Sequence, residues 1–161
     1  MTPAELATAQ RIESALAGNP AFRKLDDRVY VVKQGSTFVM LNIAPIDDTR
    51  AQVRCVAQLV KGVDMTLELA LELLSMNTRL RFGSFAYAAP ASLVLITHSL
   101  LGGDTLDTEE VLATLADLAV MADQWDDHII SRFGGQRMQD LLDKSAIGKL
   151  FADPNSDAFR S

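Results

Sequence analysis

The chain has one cysteine, Cys55, two histidines, and no apolar run long enough to cross a membrane. A lone cysteine cannot staple a fold, and Cys/His clusters at zinc-site spacing are absent, so neither a disulfide scaffold nor a structural zinc site is expected. The longest apolar run, Ala91 to Leu101, is interrupted by His98 and falls well short of the roughly 20 residues a spanning helix needs. The opening stretch, Met1 to Gly18, carries acids and polar residues and lacks a basic leader, which speaks against a secretory signal. Basic charge is also short: 15 Lys and Arg stand against 21 Asp and Glu, a net charge of -6. Phosphate binding is chiefly electrostatic, so nucleic acid is not expected as a main partner. The glycine pairs Gly102-Gly103 and Gly134-Gly135 belong to no phosphate-cradling loop with lysine and to no dinucleotide fingerprint. The expectation is a cytoplasmic protein without cofactor or metal.

At 161 residues the chain is long enough for one domain with its own core. Thr2-Pro3-Ala4-Glu5 reads as a capped helix start, and Leu6, Ala9, Ile12 and Leu16 recur at helical spacing until Gly18-Asn19-Pro20. The period then changes. Val29 to Val32 and Thr37 to Ala44 predict a hairpin, and Ala51, Val53, Cys55, Ala57 and Leu59 alternate with polar residues as a half-buried strand. Asp64 offers a cap for a second helix running to about Asn77. Arg79 to Tyr87 and Leu93 to Leu100 predict a second hairpin, and Asp107-Thr108-Glu109-Glu110 caps a long third helix that ends at Phe133-Gly134-Gly135.

The order α-β-β-β-α-β-β-α, with hairpins, implies an α+β domain: an antiparallel sheet of about five strands and three main helices. It spans 1–135. Residues 136–161 form an extension expected to be partly helical over Met138 to Leu150 and then flexible from Ala152 to Ser161.

No pattern of catalytic residues stands out. Cys55 and His98 could meet across strands, but each sits among apolar residues of the same parity and neither belongs to a motif. Asp123, Asp126, Asp127 and His128 lack the spacing of a metal-binding helix and read as a solvated acidic face. Asn77 reads as a helix stop, with Arg79 and Arg81 on the solvated face of the strand that follows.

Apolar surplus is the stronger signal. Phe38 and Met40, Phe85 and Tyr87, and Leu93 and Leu95 occupy strand positions opposite those assigned to the core, so both sheet faces are apolar. In the second helix only Glu68, Glu72 and Ser75 form a polar stripe. Such surfaces need a cover. The expectation is a homodimer with its seam on Leu69, Leu73 and Met76. The sheet face would then hold another polypeptide through the six strand residues, with Arg54, Arg79 and Arg81 at the rim. Two alternatives stay open: the sheet face as the dimer seam, and a small-ligand or enzymatic pocket near His98 and Cys55.

The element order and the passage LLSMNTRLRFGSFAY, followed by SLVLITHSLLGGDTLDTEEVLATLADLAVMADQWDDHI, resemble the Tir-chaperone-like fold shared by type III secretion chaperones and the YbjN family. The likeness covers roughly Thr2 to Phe133. It implies a noncatalytic homodimer that holds a protein segment, either an unfolded effector segment bound through hydrophobic patches and strand pairing, or a regulatory partner. The tail after Gly135 departs from the secretion chaperones.

Overall fold

The structure, a computed structural model, describes residues 1–152. Nearly all of the tail expected to be flexible lies outside the described residues.

Helix α1 (Pro3–Leu16) starts where the sequence puts it. Thr2 Oγ1 accepts from the Glu5 N–H at 3.2 Å and the Glu5 carboxylate accepts from the Thr2 N–H at 2.6 Å, a reciprocal capping box. Four strands follow: β1 (Phe22–Asp26), β2 (Val29–Gln34), β3 (Thr37–Pro45) and β4 (Ala51–Lys61). Helix α2 (Leu67–Met76) is capped by Thr66, whose hydroxyl accepts from the Leu69 N–H, rather than by Asp64. Strands β5 (Ser84–Ala88) and β6 (Leu93–Leu101) are joined by a single 3-10 turn. Helix α3 (Thr108–Phe133) is capped by Asp107 as expected. The extension begins with a short strand, β7 (Gln136–Arg137), and continues as α4 (Met138–Asp143) and α5 (Ala146–Ala152).

The result is α+β. Six strands lie in the order β1-β2-β3-β4-β6-β5, every pair antiparallel, and β7 joins β4 beside Val60 and Lys61. Two strands exceed the expectation. β1 is polar on paper, but it needs only one partner and one covered face: Phe22 stacks on Tyr30 at 5.6 Å on one side while Arg23 points to the other. β7 has two residues and no pattern to read.

One sheet face carries Val32, Val39, Leu41, Val53, Cys55, Ala57 and Ile96, all buried beneath α1 and α3. A polar cross-link fixes α1 there. The Thr8 hydroxyl, itself buried, accepts from the Gly103 N–H at 2.7 Å and donates to the Ala4 carbonyl at 2.6 Å. Glu5 is buried too, and Arg28 Nε donates to it at 2.6 Å. That bond, with the Thr2 N–H, holds the Glu5 carboxyl down at about 2.

The aspartates of α3 are not simply solvated. Asp126 is only 3 % exposed, Arg137 of β7 lies between it, Asp127 and Asp140, and Asp123 accepts from the Ser36 hydroxyl at 3.3 Å. Burial raises the Asp126 carboxyl to about 6, with Arg137 acting in the opposite direction. Among the described residues no cluster could hold a metal ion, and no helix is long and apolar enough to cross a membrane.

The second sheet face is covered at one end by the extension. Phe38 is 1 % exposed because Phe151 of α5 meets it edge-on at 5.6 Å, and Lys33 pairs with Asp143 of α4 at 3.1 Å. The rest of this face has less cover: Met40 of β3, Val56 of β4, and Leu95 and Thr97 of β6 are half-buried, and Arg54 of β4 is exposed.

Candidate functional site

Helix α2 is oriented so that one of its two apolar stripes faces water. Its ten residues carry three stripes. Leu69 and Leu73 enter the core, and Met76 packs against it. Glu68 and Glu72 turn toward α3, where Arg132 pairs with both and His128 Nε2 lies 2.6 Å from Glu72. The remaining stripe, Leu67, Leu71 and Leu74, is left 76 %, 58 % and 63 % exposed. The seam expected on Leu69, Leu73 and Met76 is therefore interior surface of the subunit. The sequence could not choose between the two leucine stripes because both recur at helical spacing. In the orientation adopted, Glu68 and Glu72 pair with Arg132 of α3.

Beside this stripe runs an apolar groove of about 230 Å³ between α2 and the edge strand β5, lined by Met65, Ala70, Leu73, Leu74, Phe85, Ala86 and Tyr87. Edge strands present unpaired backbone groups. Asn77 closes one such position: its Oδ1 accepts from the Phe85 N–H at 2.7 Å and its Nδ2 donates to the Phe85 carbonyl at 3.4 Å. Tyr87, two residues on, keeps its outward backbone groups for a neighbour, since outward and inward pairs alternate along an antiparallel edge. Asn77 does end α2, but in the right-handed conformation, and its side chain serves as a strand partner.

The arginines do not share a strand face. Residues 77–79 form a turn and 81–82 a bend, and Gly83 at φ +76° breaks the alternation before β5 begins. A side chain at Gly83 would put its Cβ 2.8 Å from the Thr97 carbonyl. Arg81 donates two bonds of 3.1 Å to Asp117 of α3, Arg79 is exposed on the turn, and Arg54 donates to the Thr97 hydroxyl at 3.1 Å. Arg54 and Arg81 nevertheless border one shallow polar recess with Ser84, Thr97, His98 and Ser99.

The break at Gly83 also divides the six apolar anchors. Phe38, Met40, Leu93 and Leu95 lie on the second sheet face, whereas Phe85 and Tyr87 lie on the helical side, in register with Ile96 and Val94. Phe85 is buried against Trp125 at 5.3 Å, Leu93 is buried, and Tyr87 is exposed beside the groove. Met40 and Leu95, together with Val56, which the sequence reading did not single out, make up the accessible apolar part of the second face.

The register does set Cys55 opposite His98. The thiol is fully buried, and burial pushes it up to about 12, which leaves no thiolate at neutral pH. His98 Nδ1 accepts from the Gly83 N–H at 3.0 Å and its ring meets Phe82 edge-on. It anchors the turn that starts β5.

Over residues 6–141 the sequence matches the family model described as T3SS (YopN, CesT) and YbjN peptide-binding chaperone 1. Among solved structures the chain is similar to one in the crystal structure of the ExsC-ExsE complex, at 19% identity and a TM-score of 0.56, covering 80% of this chain and 97% of that one. It is likewise similar to one in the HopA1-SchA chaperone-effector complex, at 12% identity and a TM-score of 0.56, covering 76% of this chain and 95% of that one. At these identities the likeness is one of fold. No curated protein sequence matches.

Proposed function

Because the chain belongs to the T3SS (YopN, CesT) and YbjN peptide-binding chaperone family, we propose that it is a noncatalytic, cytoplasmic homodimer that holds a segment of another polypeptide. The observation that carries the reading is the division of surfaces. The α2 stripe of Leu67, Leu71 and Leu74 with its adjoining groove is apolar and uncharged, which suits a seam between identical copies. The open half of the second sheet face mixes aliphatic Met40, Val56 and Leu95 with the hydrogen-bonding groups of Arg54, Thr97 and Ser84, which suits a client whose backbone needs partners. Both solved neighbours were captured as two-protein complexes, one of them chaperone with effector, in keeping with a polypeptide ligand.

The test is a tiled array of peptides from unfolded proteins probed with the protein and with a Val56→Glu, Leu95→Glu variant. The protein should select peptides rich in aliphatic and aromatic residues, and the variant, with an unchanged melting temperature, should lose them. Identical selection by both proteins, or none by either, would remove the client assignment.

A further inference from the structure

The polar recess beside the open part of the second sheet face is a donor site in an acidic protein. Arg54, Arg81, Ser84, Thr97, His98 and Ser99 border it, and among the described residues no carboxylate does. His98 Nδ1 is taken by the Gly83 N–H, so the neutral ring keeps its proton on Nε2 and adds a donor. Arg81 forms a neutral pair with Asp117 through two bonds of 3.1 Å, yet its side chain stays 81 % exposed. Among the described residues Arg54 has the Thr97 hydroxyl as its side-chain partner, and Arg79 has no carboxylate beside it. Each of these two guanidinium groups shares a cavity wall with Arg81. In a chain of net charge -6, cations left uncompensated and gathered at one spot attract a carboxylate, and the hydrogen bonds a guanidinium makes to one are among the strongest a surface offers.

The second of those cavities, about 390 Å³, lies between α3 and the segment 79–82. Its walls are apolar: Met76 of α2, Leu80, and Met121 and Trp125 of α3, each half-buried against the core. Trp125 is fixed by edge contacts with Phe85 at 5.3 Å and His128 at 4.9 Å, whereas the two methionines are free to repack. Val120, on the same wall, is 53 % exposed. A rigid aromatic wall beside adaptable thioethers suits a large apolar side chain, an aromatic one above all.

We propose that the client segment carries an acidic residue and an aromatic residue within about three positions of each other, roughly 10 Å of extended chain: the carboxylate enters the recess between Arg54 and Arg81, and the aromatic side chain enters the Met76–Trp125 cavity on the other side of Arg81. The inference rests on the proposed function in taking a polypeptide as the ligand, and it adds the chemistry that selects one.

The probes are fluorescein-labelled peptides that share a segment of alternating valine and serine and end in Glu-Gly-Phe, Gln-Gly-Phe, Lys-Gly-Phe or Glu-Gly-Ser, titrated by anisotropy against the full-length protein. Wild type should bind the Glu-Gly-Phe peptide about tenfold more tightly than either the Gln-Gly-Phe or the Glu-Gly-Ser peptide. Arg54→Glu should reverse the charge preference, favouring Lys-Gly-Phe, and should still prefer phenylalanine to serine. Val120→Gln should lose most of the preference for phenylalanine and keep that for glutamate. Both substitutions fall on exposed side chains, and the comparison of peptides on wild type carries the test without any variant. Equal binding of the Glu-Gly-Phe and Gln-Gly-Phe peptides to wild type, an unchanged order of peptides in Arg54→Glu, or no binding of any peptide in the series would overturn the inference. The peptide array decides the proposed function separately, because a client held through Val56 and Leu95 alone is selected there whatever its charge.

Discussion

Leu71→Glu isolates the α2 stripe. Leu67, Leu71 and Leu74 are 76 %, 58 % and 63 % exposed, which together leaves about two leucine side chains' worth of apolar surface in water on each subunit. Burying a leucine fully is worth roughly 1.5 to 3 kcal/mol, so covering the stripe would contribute about 3 to 6 kcal/mol per subunit before the cost of association. Leu71 holds a little under a third of that. In a two-fold seam the change occurs twice, giving a loss of about 2 to 3.5 kcal/mol, or roughly 30- to 300-fold in the dimer dissociation constant. Burying the new carboxylates against each other would add to the loss. The assay is sedimentation velocity over a concentration series, with thermal unfolding of the monomer as control, because a side chain already in water leaves the subunit's own packing intact. A wild-type chain that stays monomeric at tens of micromolar refutes the reasoning, as does a Leu71→Glu variant that dimerises as tightly as wild type.

Three other perturbations have expected outcomes. Asn77→Ala leaves the Phe85 N–H and carbonyl without their side-chain partner and lengthens the bare edge of β5, so stability should fall by about 1 to 2 kcal/mol in urea unfolding and light scattering on warming should rise. Glu5 is held down at about 2 by Arg28, so its contribution is complete above the unfolded value near 4.5 and is lost as pH falls toward 2; unfolding midpoints between pH 6 and 2 should decline less steeply in Glu5→Gln. Asp126 has the opposite sign. Raised to about 6 by burial, it favours the fold when protonated and weighs against it as pH rises through 6, so Asp126→Asn should be more stable than wild type at pH 8 by up to roughly 3 kcal/mol and should lose that advantage near pH 4.

What the sequence disclosed was local. The Thr2–Glu5 capping box, the alternation from Ala51 to Leu59 and the Asp107 cap are each written within a few consecutive residues, and each appears in the fold where it was expected. The arginine segment misled for the same reason. Arg79-Leu80-Arg81-Phe82 alternates like a strand, but Gly83 at φ +76° resets the parity, and the close approach of Thr97 and Leu118, far along the chain, leaves no room for a Cβ there. Phe85 was thereby assigned to the wrong face. The outward stripe of α2 was hidden by a similar degeneracy, since both leucine stripes recur at helical spacing and the partners that distinguish them, the core around Leu69 and Leu73 and Arg132 beside Glu68 and Glu72, are remote in sequence.

The apolar second face was legible as a surplus of side chains, but not as a surface with two different covers. Strand parity sets Phe38, Met40, Val56 and Leu95 on one side of the sheet, and nothing in those residues says that Phe38 alone meets a segment from the end of the same chain. A subunit whose helices covered both faces completely would need no neighbour; this one covers the β1–β3 end and part of β4 with the short helices α4 and α5 and leaves the rest of that face partly open. Under the proposed function the surfaces left for partners are that open part of the sheet and the α2 stripe. A client long enough to reach from Leu95 of β6 to Phe38 of β3 would cross three adjacent strands, roughly 10 Å at the spacing of a sheet, and would meet α5 at the far end. Binding of such a client and undocking of α5 from Phe38 would then be thermodynamically linked, each favouring the other by the same factor.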